Sequence, residues 1–590
     1  MPNPEESGKE TMRYPLPNRR GQRTSSVIKV FPCAFGLFFA TASISGCLPK
    51  QQPSATPITI TLPPPLISPR GASDIGTIHA QLIIPELAID EPLAISNGIA
   101  TTQHPIAEFP QGRYTIQIVF EVDSPEFGRQ TIAKGERKED FGSRLKKVVF
   151  EYVDYTYPDS DGDHYSNLIE LSLGNDPNDG NDTPRAARVF VTSSGGTGDL
   201  STWPDAAGDT GLAAADAICQ AHAERANLSG DWVAWLSDDE NDAYCRVHQQ
   251  GGKKSDACGQ KKTPTEAGPW IRMDGYPFAP SIASLTNDFE IYTPVIFDEF
   301  GRHFSDLSDP GKKLFFGYWT GTSPYGVGPK ESGLHPELID ELGNNCDNWT
   351  SASQELTAFS GIISASGPNW TYSTEPTCNM AQSLLCFEVG KHVPLPQVRE
   401  DTQGLKAFVT SASGTGNLAT WDGANGKTGI AAGDEICRSL AKNARLENAE
   451  HFKAFLGDDT TSAVERLVAD GPWVRLDGVP LAQSKKDFPR KIISAAPIHI
   501  DGGLFTSLSV DEHGKYSRKI ARPDQSAWTG TDWDTLTTPR HCSNWRSSDS
   551  NDLGGISLTT WASWTWLQDP GIALSCNLKL ALYCFEDIQP

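Results

Sequence analysis

The end of the chain, Cys576-Asn-Leu-Lys-Leu-Ala-Leu-Tyr-Cys584-Phe-Glu586, decides how the whole sequence is interpreted. An earlier stretch, Cys378-Asn-Met-Ala-Gln-Ser-Leu-Leu-Cys386-Phe-Glu388, matches it. Each stretch is an apolar run typical of a strand, which ends in Cys-Phe-Glu and carries a second cysteine eight residues upstream. Two such endings predict two copies of one domain that disulfide bonds hold together.

The two copies align at a constant offset of 218 residues through their first part, up to Cys219 in the first copy and Cys437 in the second. Each of these cysteines lies in a stretch with the apolar spacing of an amphipathic helix, over 212–227 and 430–446. Further along the offset changes, which places insertions and deletions in surface loops.

Composition narrows the class of protein. The chain has 590 residues, enough for about two to four domains. Its formal net charge of −24 argues against nucleic acids as partners and favours cationic ligands or divalent metal ions. The same charge also serves the solubility of an exported protein. Ten of the twelve cysteines follow Cys47 in an even, spaced set that predicts disulfide bonds.

The first 46 residues have the plan of an export signal. Basic residues precede a short apolar run at 30–42, which is followed by Ile44-Ser-Gly-Cys47. Ile-Ser-Gly-Cys resembles the bacterial lipobox, in which the cysteine receives the lipid and becomes the mature N-terminus. We therefore predict a signal peptide over 1–46 and a lipid anchor on Cys47, which place the exported protein at the outer membrane or cell surface. A plain secretory signal is the alternative.

Two further segments precede the repeats. Residues 47–75 are rich in Pro, Ser and Thr, which predicts an extended tether that holds the folded part away from the membrane. Residues 76–157 contain three runs typical of strands, at 77–84, 113–122 and 146–153. We interpret this segment as a small β-sandwich domain without a chemical motif.

A twelve-residue acidic loop begins at Asp159, within a linker over 158–185. Oxygen-bearing side chains occupy its positions 1, 3, 5, 9 and 12, and the residue at position 7 can offer its backbone carbonyl. This is the ligand spacing of a calcium loop, whose last glutamate binds through both oxygens. The predicted calcium ligands are Asp159, Asp161, Asp163, Tyr165, Asn167 and Glu170.

The loop departs from the usual calcium pattern at one position, because His164 stands where a glycine is expected. The residues that follow Glu170 resemble the Glu-Leu-x-x-Gly-Thr-Asp-Pro segment of bacterial thrombospondin type 3-like repeats. This resemblance implies that calcium stiffens the spacing between domains. A solvated acidic turn without a metal is the alternative, and a catalytic metal is disfavoured because no nucleophile accompanies the loop.

The order of the motifs in each repeat resembles the C-type-lectin-like fold, and within it the endostatin-like branch. The shared features are the helix cysteine, the segment Asn227-Leu-Ser-Gly-Asp-Trp-Val-Ala-Trp-Leu-Ser237, Trp-Thr-Gly-Thr, Cys-x-Asn-Trp and the two closing cysteines. Closer still is the domain of unknown function 1554, which occurs in spirochaete surface lipoproteins. The resemblance implies an α+β fold with two tandem C-type-lectin-like domains, at 186–389 and 405–588, joined by a linker over 390–404.

The same resemblance implies nested disulfide bonds, in which the helix cysteine joins the last cysteine and the middle two join each other. Spacing alone leaves three connectivities open in each copy. Cys245 and Cys258 lie in an insertion of the first copy and are expected to close that loop. Metal binding is the alternative role of the cysteines, but no Cys-x2-Cys pair occurs. The implied pairs are Cys219–Cys386, Cys346–Cys378, Cys437–Cys584 and Cys542–Cys576.

The repeats carry no recognised sugar-binding or catalytic motif. The calcium-binding Glu-Pro-Asn or Gln-Pro-Asp loop and the Trp-Asn-Asp strand of sugar-binding lectins are missing. So are a nucleophile elbow, His-Glu-x-x-His and a P-loop. We interpret the acidic clusters at 238–240, 298–299 and 511–512 as solvated turns. No catalytic residue is therefore predicted.

These observations together predict a non-enzymatic cell-surface lipoprotein. It is expected to bind an extracellular protein or glycan through its two C-type-lectin-like domains, with calcium in the linker and no nucleic-acid partner. Two copies on one tether raise the avidity wherever both engage at once. One alternative is a structural envelope protein whose domain spacing is stiffened by calcium. Another is an enzyme whose site matches no recognised motif.

Overall fold

The structure, a computed structural model, describes most of the chain beyond residue 56. The leader with Cys47 and residues 392–403 of the predicted linker lie outside the described residues, so the signal peptide and the lipid anchor stay predictions. No helix in the part of the chain that is described has the length and apolar character to cross a membrane. The described residues are 57–61, 75–96, 99–105, 110, 112–141, 150, 155–163, 165–184, 186–302, 304, 317–333, 344–391, 404–488, 504–520, 523–530, 540–562 and 573–588.

An antiparallel sheet forms the first folded segment, here called the strand domain. Its strands are β1 (Pro57–Thr61), β2 (Thr77–Ile84), β3 (Ile89–Ser96), β4 (Ile99–Pro105), β5 (Gly112–Ser124), β6 (Gly128–Phe141) and β7 (Tyr155–Thr156). They lie in the order β1-β4-β3-β2-β5-β6-β7. Alternate residues of β2 and β5 are buried, among them Leu82, Ile118 and Phe120, as the period-two pattern of these segments predicts.

β1 corrects the prediction of a tether over 47–75. Its sequence, Pro-Ile-Thr-Ile-Thr, pairs antiparallel with β4, so these five residues belong to the sheet. Alternating β-branched residues favour a strand and outweigh the proline-rich surroundings. The predicted strand at 146–153 lies outside the described residues except for Phe150, which is buried in the core of the strand domain. The described strands follow one sheet path, so a two-sheet sandwich stays a prediction.

The remaining elements belong to the linker and the two repeats. The strands of the first repeat are β8 (Ala187–Val191), β9 (Asp231–Ala234), β10 (Trp270–Arg272), β11 (Pro277–Ala279), β12 (Gly317–Trp319), β13 (Ser360–Ile362) and β14 (Ser383–Val389). Those of the second are β15 (Leu405–Val409), β16 (Phe452–Ala454), β17 (Trp473–Arg475), β18 (Pro480–Ala482), β19 (Ser526–Trp528), β20 (Leu553–Leu558), β21 (Ala573–Ser575) and β22 (Ala581–Glu586). The right-handed helices are α1 (Asn167–Leu173), α2 (Gly211–Arg225), α3 (Ala243–Arg246), α4 (Pro329–Ser332), α5 (Ile430–Asn443) and α6 (Ala463–Arg466).

The two repeats share one mixed sheet topology. The first has the order β11-β10-β8-β14-β12-β13 with β9 on β14, and the second has β18-β17-β15-β22-β19-β20-β21 with β16 on β22. Parallel and antiparallel neighbours alternate in the same way in both sheets. Mixed sheets with few helices confirm the predicted α+β class.

β14 and β22, the two strands with the Cys-Phe-Glu endings, lie at the centre of their sheets. β14 lies between β8 and β12. Its alternate residues enter two different cores, Leu385 and Phe387 on one face and Leu384 and Cys386 on the other. A strand that is covered on both faces has to be apolar at every position, which explains the unbroken apolar run in the sequence.

Disulfide bonds join the helices of the repeats to these central strands. Cys219 of α2 is bonded to Cys386 of β14, and Cys437 of α5 is bonded to Cys584 of β22. The pairing in the structure is the one that the resemblance implies. Each bond stabilises the fold by about 2–4 kcal/mol through its limit on the unfolded chain. The other pairs are Cys346–Cys378, Cys542–Cys576 and, in the insertion, Cys245–Cys258.

A local two-fold axis relates the two repeats where they contact each other. The strand register makes Ser364 equivalent to Thr560, and Ser366 equivalent to Ala562. The N–H of Ser366 donates to the Thr560 carbonyl at 2.7 Å, and the N–H of Ala562 donates to the Ser364 carbonyl at 2.9 Å. Equivalent groups therefore exchange places across this contact, as they do in an isologous dimer interface.

Two equivalent arginines extend the two-fold contact. Arg272 of the first repeat lies with its guanidinium carbon 5.0 Å from the ring centre of Phe505 in the second. Arg475 of the second repeat donates to the Ile291 carbonyl of the first at 3.4 Å. Both arginines are 0% exposed. The strand domain and both repeats consequently lie in one compact unit, which spans 55–590.

Candidate metal centre

The acidic loop between the strand domain and the first repeat brings its three aspartates together. Asp159, Asp161 and Asp163 each place a carboxylate oxygen within 4.8 Å of the other two. One oxygen of each carboxylate accepts a backbone N–H of the loop, at 2.8 Å from Gly162, 3.1 Å from Asp163 and 2.8 Å from Tyr165. These short-range bonds curl the loop around its own carboxylates.

Glu170, in the first turn of α1, lies beside the three aspartates. Its side chain is 0% exposed, and neither of its carboxylate oxygens has a hydrogen-bond partner among the described residues. Burial, followed by the charges of Asp163, Asp161 and Asp159, raises the pKa of Glu170 to about 9. A buried carboxylate without a donor is unfavourable, and a bound cation removes this cost.

The chemistry of the donor set fits calcium. Asp161 adds another buried oxygen without a hydrogen-bond partner among the described residues, and burial raises the pKa of its carboxyl. The grouped ligand atoms are all carboxylate oxygens, and calcium takes about six to eight oxygen ligands. Zinc, in contrast, is held in structural sites mainly by imidazole and thiolate ligands. The residues present therefore fit a hard cation.

Asn167, one of the six predicted ligands, has other partners in the structure. Its Oδ1 accepts the backbone N–H of Ser160 at 2.9 Å. Its amide group donates to the Thr131 carbonyl at 2.9 Å and to the Ser160 hydroxyl at 2.8 Å. Asn167 therefore ties the acidic loop to β6 of the strand domain.

Tyr165, the predicted backbone ligand, connects the loop to the first repeat through its side chain. Its ring centre lies 4.9 Å from the Arg188 guanidinium carbon, and its hydroxyl lies 2.9 Å from Lys391 Nζ, which donates to it. Arg188 and Lys391 both form ion pairs of 2.9 Å with the buried Glu388 at the end of β14. Position 7 of the loop is thus linked to the central strand of the repeat.

α1 joins two hydrophobic cores. Leu168 and Leu171 enter the core of the strand domain, whereas Ile169 packs with Ile271 of the first repeat. Gly275 permits this contact, because a Cβ there would lie only 2.0 Å from the Ile169 side chain. Glu170 and the acidic loop therefore lie in the joint between the strand domain and the first repeat.

The next turn of the chain covers the aspartates. A Cβ at Gly180 would lie 3.7 Å from Asp163 Cβ and 3.9 Å from Asp161 Cγ. Asp182 holds this turn in place by accepting the backbone N–H of Asp176 at 3.0 Å. The segment that resembles thrombospondin type 3-like repeats therefore packs against the candidate site.

The acidic clusters at 298–299 and 511–512 are partly buried, which corrects their interpretation as solvated turns, whereas Asp239 and Glu240 of the third cluster are exposed. Glu299 and Glu512 are 1% and 2% exposed. Each accepts the backbone N–H and the hydroxyl of a serine, Ser193 in the first repeat and Ser411 in the second. The partners are 106 and 101 residues apart, so no local motif reveals them. Their recurrence at equivalent positions of both copies was the available signal.

Sequence comparison adds no family to this picture. Searches against protein-family models and against curated proteins gave no match. The resemblance of the repeats to C-type-lectin-like domains therefore depends on the motifs quoted above, and the candidate metal centre depends on its own geometry.

Proposed function

We propose that this chain is a lipid-anchored surface protein in which calcium fixes the strand domain to a pair of C-type-lectin-like domains. The observation that carries the proposal is Glu170, a fully buried carboxylate whose two oxygens have no hydrogen-bond partner among the described residues. It lies beside three clustered aspartates in the joint between two domains. Calcium bound there couples metal occupancy to the rigidity of the joint.

Export to an oxidising compartment is supported by the cysteines. The described residues contain five disulfide bonds, which form and persist outside the reducing cytosol. The lipobox-like segment before Cys47 supports anchoring of the mature N-terminus to a membrane. The acidic composition supports calcium binding and disfavours polyanionic partners.

The paired repeats support the binding of an extracellular protein or glycan. Ligand contacts are expected in the loops within 270–349 and 473–545, where the two copies differ in length and sequence. Parts of both regions lie outside the described residues. Two copies on one chain allow it to hold two ligand molecules or one symmetric ligand. The structural-envelope alternative shares the calcium joint but has no ligand.

A binding screen separates these two functions. Full-length mature protein is immobilised and exposed to extracellular-matrix proteins, plasma proteins and a glycan array, with calcium and again with a chelator. The binding function predicts at least one ligand, whose retention falls when the loops of either repeat are exchanged. Failure to retain any member of the three sets supports the structural alternative.

Limited proteolysis tests the joint itself. Removal of calcium leaves Glu170 and the aspartates without a counter-charge, so the segment 158–185 should open and become the first site of cleavage. Cleavage positions are mapped by mass spectrometry in calcium and in chelator. The repeats, which the disulfide bonds hold, serve as the internal control. An unchanged cleavage pattern contradicts the calcium joint.

A further inference from the structure

A serine, a histidine and a glutamate of the first repeat have the hydrogen-bond order of a catalytic triad. Nδ1 of His222 lies 2.8 Å from Glu299 Oε1, and Nε2 of His222 lies 2.9 Å from Ser194 Oγ. His222, on α2, is 0% exposed and Glu299 is 1% exposed, whereas Ser194, in the loop after β8, is exposed. A shielded base beside an open hydroxyl is the arrangement that activates a serine for acyl transfer.

The charge of Glu299 sets the roles of the two imidazole nitrogens. Burial acts to raise the pKa of Glu299, but the hydrogen bond and charge of His222, together with the Ser193 hydroxyl, outweigh it and lower that pKa. An ionised Glu299 accepts only, so Nδ1 carries the proton that it receives. The lone pair of Nε2 then faces Ser194 and accepts its hydroxyl proton.

The second repeat shows that Ser194 and His222 are not needed for the fold. The Ser193–Glu299 contact recurs there as Ser411–Glu512. At the constant offset of 218 residues, however, Ala412 stands in place of Ser194, and Leu440 stands in place of His222. The second repeat therefore has the same fold with the structural glutamate but without the serine and the histidine. Serine and histidine are present together in one copy and absent together from the other.

The other groups around the imidazole are compatible with a base at this position. Asp205 Oδ2 lies 3.6 Å from His222 Nε2 and is itself bound by Arg225 at 2.7 Å through its other oxygen. Gly195 follows Ser194, and the backbone N–H after a nucleophilic serine is a common donor to the developing oxyanion. Ser194 is an exposed residue, as a nucleophile that attacks a substrate from solvent has to be.

We propose that the first repeat hydrolyses carboxylic esters, with Ser194 as nucleophile, His222 as general base and Glu299 as positioning residue. Ser194 Oγ attacks the ester carbonyl carbon while its proton passes to His222 Nε2. The bond to the leaving oxygen then breaks, and the leaving alcohol takes that proton. Water attacks the acyl-serine, gives one proton to His222 and releases the carboxylic acid, and Ser194 regains its proton. Each cycle consumes one ester and one water.

An ester is the substrate class because its alcohol leaves more readily than the amine of an amide, and Ser194 lies in an open loop. This activity is additional to the ligand binding proposed above, and no catalytic motif in the sequence predicts it. The three residues are 28 and 77 residues apart along the chain, so no sequence motif unites them.

Labelling with an alkyl fluorophosphonate tests the proposal on the full mature chain. The probe phosphonylates an activated serine with loss of fluoride, and the labelled residue is identified by mass spectrometry. Hydrolysis of p-nitrophenyl acetate is followed in parallel. We expect labelling on Ser194, and a fall of about 100-fold or more in both rates in S194A and H222L. Each variant carries the residue that stands at the equivalent position of the second repeat, so we expect both variants to fold.

Two further variants complete the design. S411A, in the second repeat, should keep wild-type labelling. In E299Q the neutral amide no longer fixes the imidazole as the ionised Glu299 does, so kcat for p-nitrophenyl acetate should fall while KM stays near the wild-type value. Wild-type protein that is not labelled on Ser194, or H222L that is labelled at the wild-type rate, overturns the proposal. An unchanged kcat in E299Q removes Glu299 from the proposal.

Discussion

At the scale of single residues, the informative feature is which buried carboxylates have hydrogen-bond or ion-pair partners. Glu388 and Glu299 are buried but satisfied, the first by Arg188 and Lys391 and the second by Ser193 and His222. Glu170 is equally buried, yet no donor contacts it among the described residues. Because Glu388 and Glu299 have partners and the equally buried Glu170 has none among the described residues, we infer that a cation binds at Glu170.

The variant Glu170→Gln should separate metal binding from stability. Without calcium it should be more stable than the wild type by about 1–3 kcal/mol, because a neutral amide is cheaper to bury than an unpaired carboxylate. With calcium it should gain no stability, whereas the wild type should gain about 2.7 kcal/mol at a calcium concentration of 100 times Kd. Thermal unfolding with and without calcium measures both. Glu240→Gln, at an exposed loop position, should behave as the wild type.

The same carboxyl predicts a pH dependence in the calcium-free protein. Its pKa is raised from 4.5 in the unfolded chain to about 9 in the folded chain. The contribution of Glu170 to the free energy of unfolding is therefore complete below about pH 4.5 and is lost as the pH rises towards 9. The calcium-free wild type should become less stable over this range, and Glu170→Gln should show a smaller loss. Equal pH slopes for the two proteins would count against the assigned burial of Glu170.

At the scale of elements, both repeats contain a left-handed turn that the sequence does not predict. Cys346–Trp349 and Cys542–Trp545 have positive φ at every residue. Such backbone is strained for residues other than glycine. Neighbouring contacts hold it in place: a disulfide bond fixes the first residue, the last is a buried tryptophan, and the preceding side chain, Asn345 or His541, accepts a backbone N–H.

Strain in the turn can be measured at Ser543, which is exposed and has a φ of 53°. Ser543→Val should be less stable than Ser543→Gly by about 1–2 kcal/mol, because only glycine adopts this backbone without steric cost. Denaturant unfolding gives the difference. At Lys442, an exposed residue of the right-handed helix α5, valine should be the more stable replacement. The same order at both positions would show that the turn carries no strain.

Elements with regular periodicity are predicted well from the sequence. The helices expected over 212–227 and 430–446 are observed as Gly211–Arg225 and Ile430–Asn443, and the closing strands are where the repeated endings place them. The left-handed turns cannot be predicted from the sequence, because tertiary contacts and not local conformational preferences stabilise them. β1 is not predicted from the sequence, because its partner β4 lies about 40 residues away and its proline-rich flanks suggest a linker.

At the scale of the whole molecule, the contacts between domains are what the sequence leaves open. The two-fold contact joins Ser366 to Thr560 and Arg272 to Phe505, pairs that are separated by about 200 residues or more and share no motif. The calcium site with its six predicted ligands stays a prediction. The three aspartates lie together and their charges act on Glu170, while Asn167 braces the loop against the strand domain.

Loss of the two-fold contact should make the repeats unfold separately. Phe505→Ala removes a ring that is 8% exposed and packs against Tyr276, 4.5 Å between ring centres, and against Arg272. We expect a cost of about 3 kcal/mol and two resolved transitions in calorimetry in place of one. Phe300→Ala, at a position 47% exposed, should cost less than about 0.5 kcal/mol. A single transition at the wild-type temperature for Phe505→Ala would contradict this contact.

Calcium is proposed to join the strand domain to the first repeat through Glu170. Isothermal titration calorimetry of the mature chain, stripped of metal and carrying Cys47→Ser to prevent lipidation, tests it most directly. We expect one calcium ion per chain, with a Kd between about 10⁻⁷ and 10⁻³ M, and no binding at this site in Glu170→Gln. A wild-type chain that binds no calcium, or a Glu170→Gln chain that binds it with unchanged stoichiometry and affinity, would show that no calcium ion is held by Glu170.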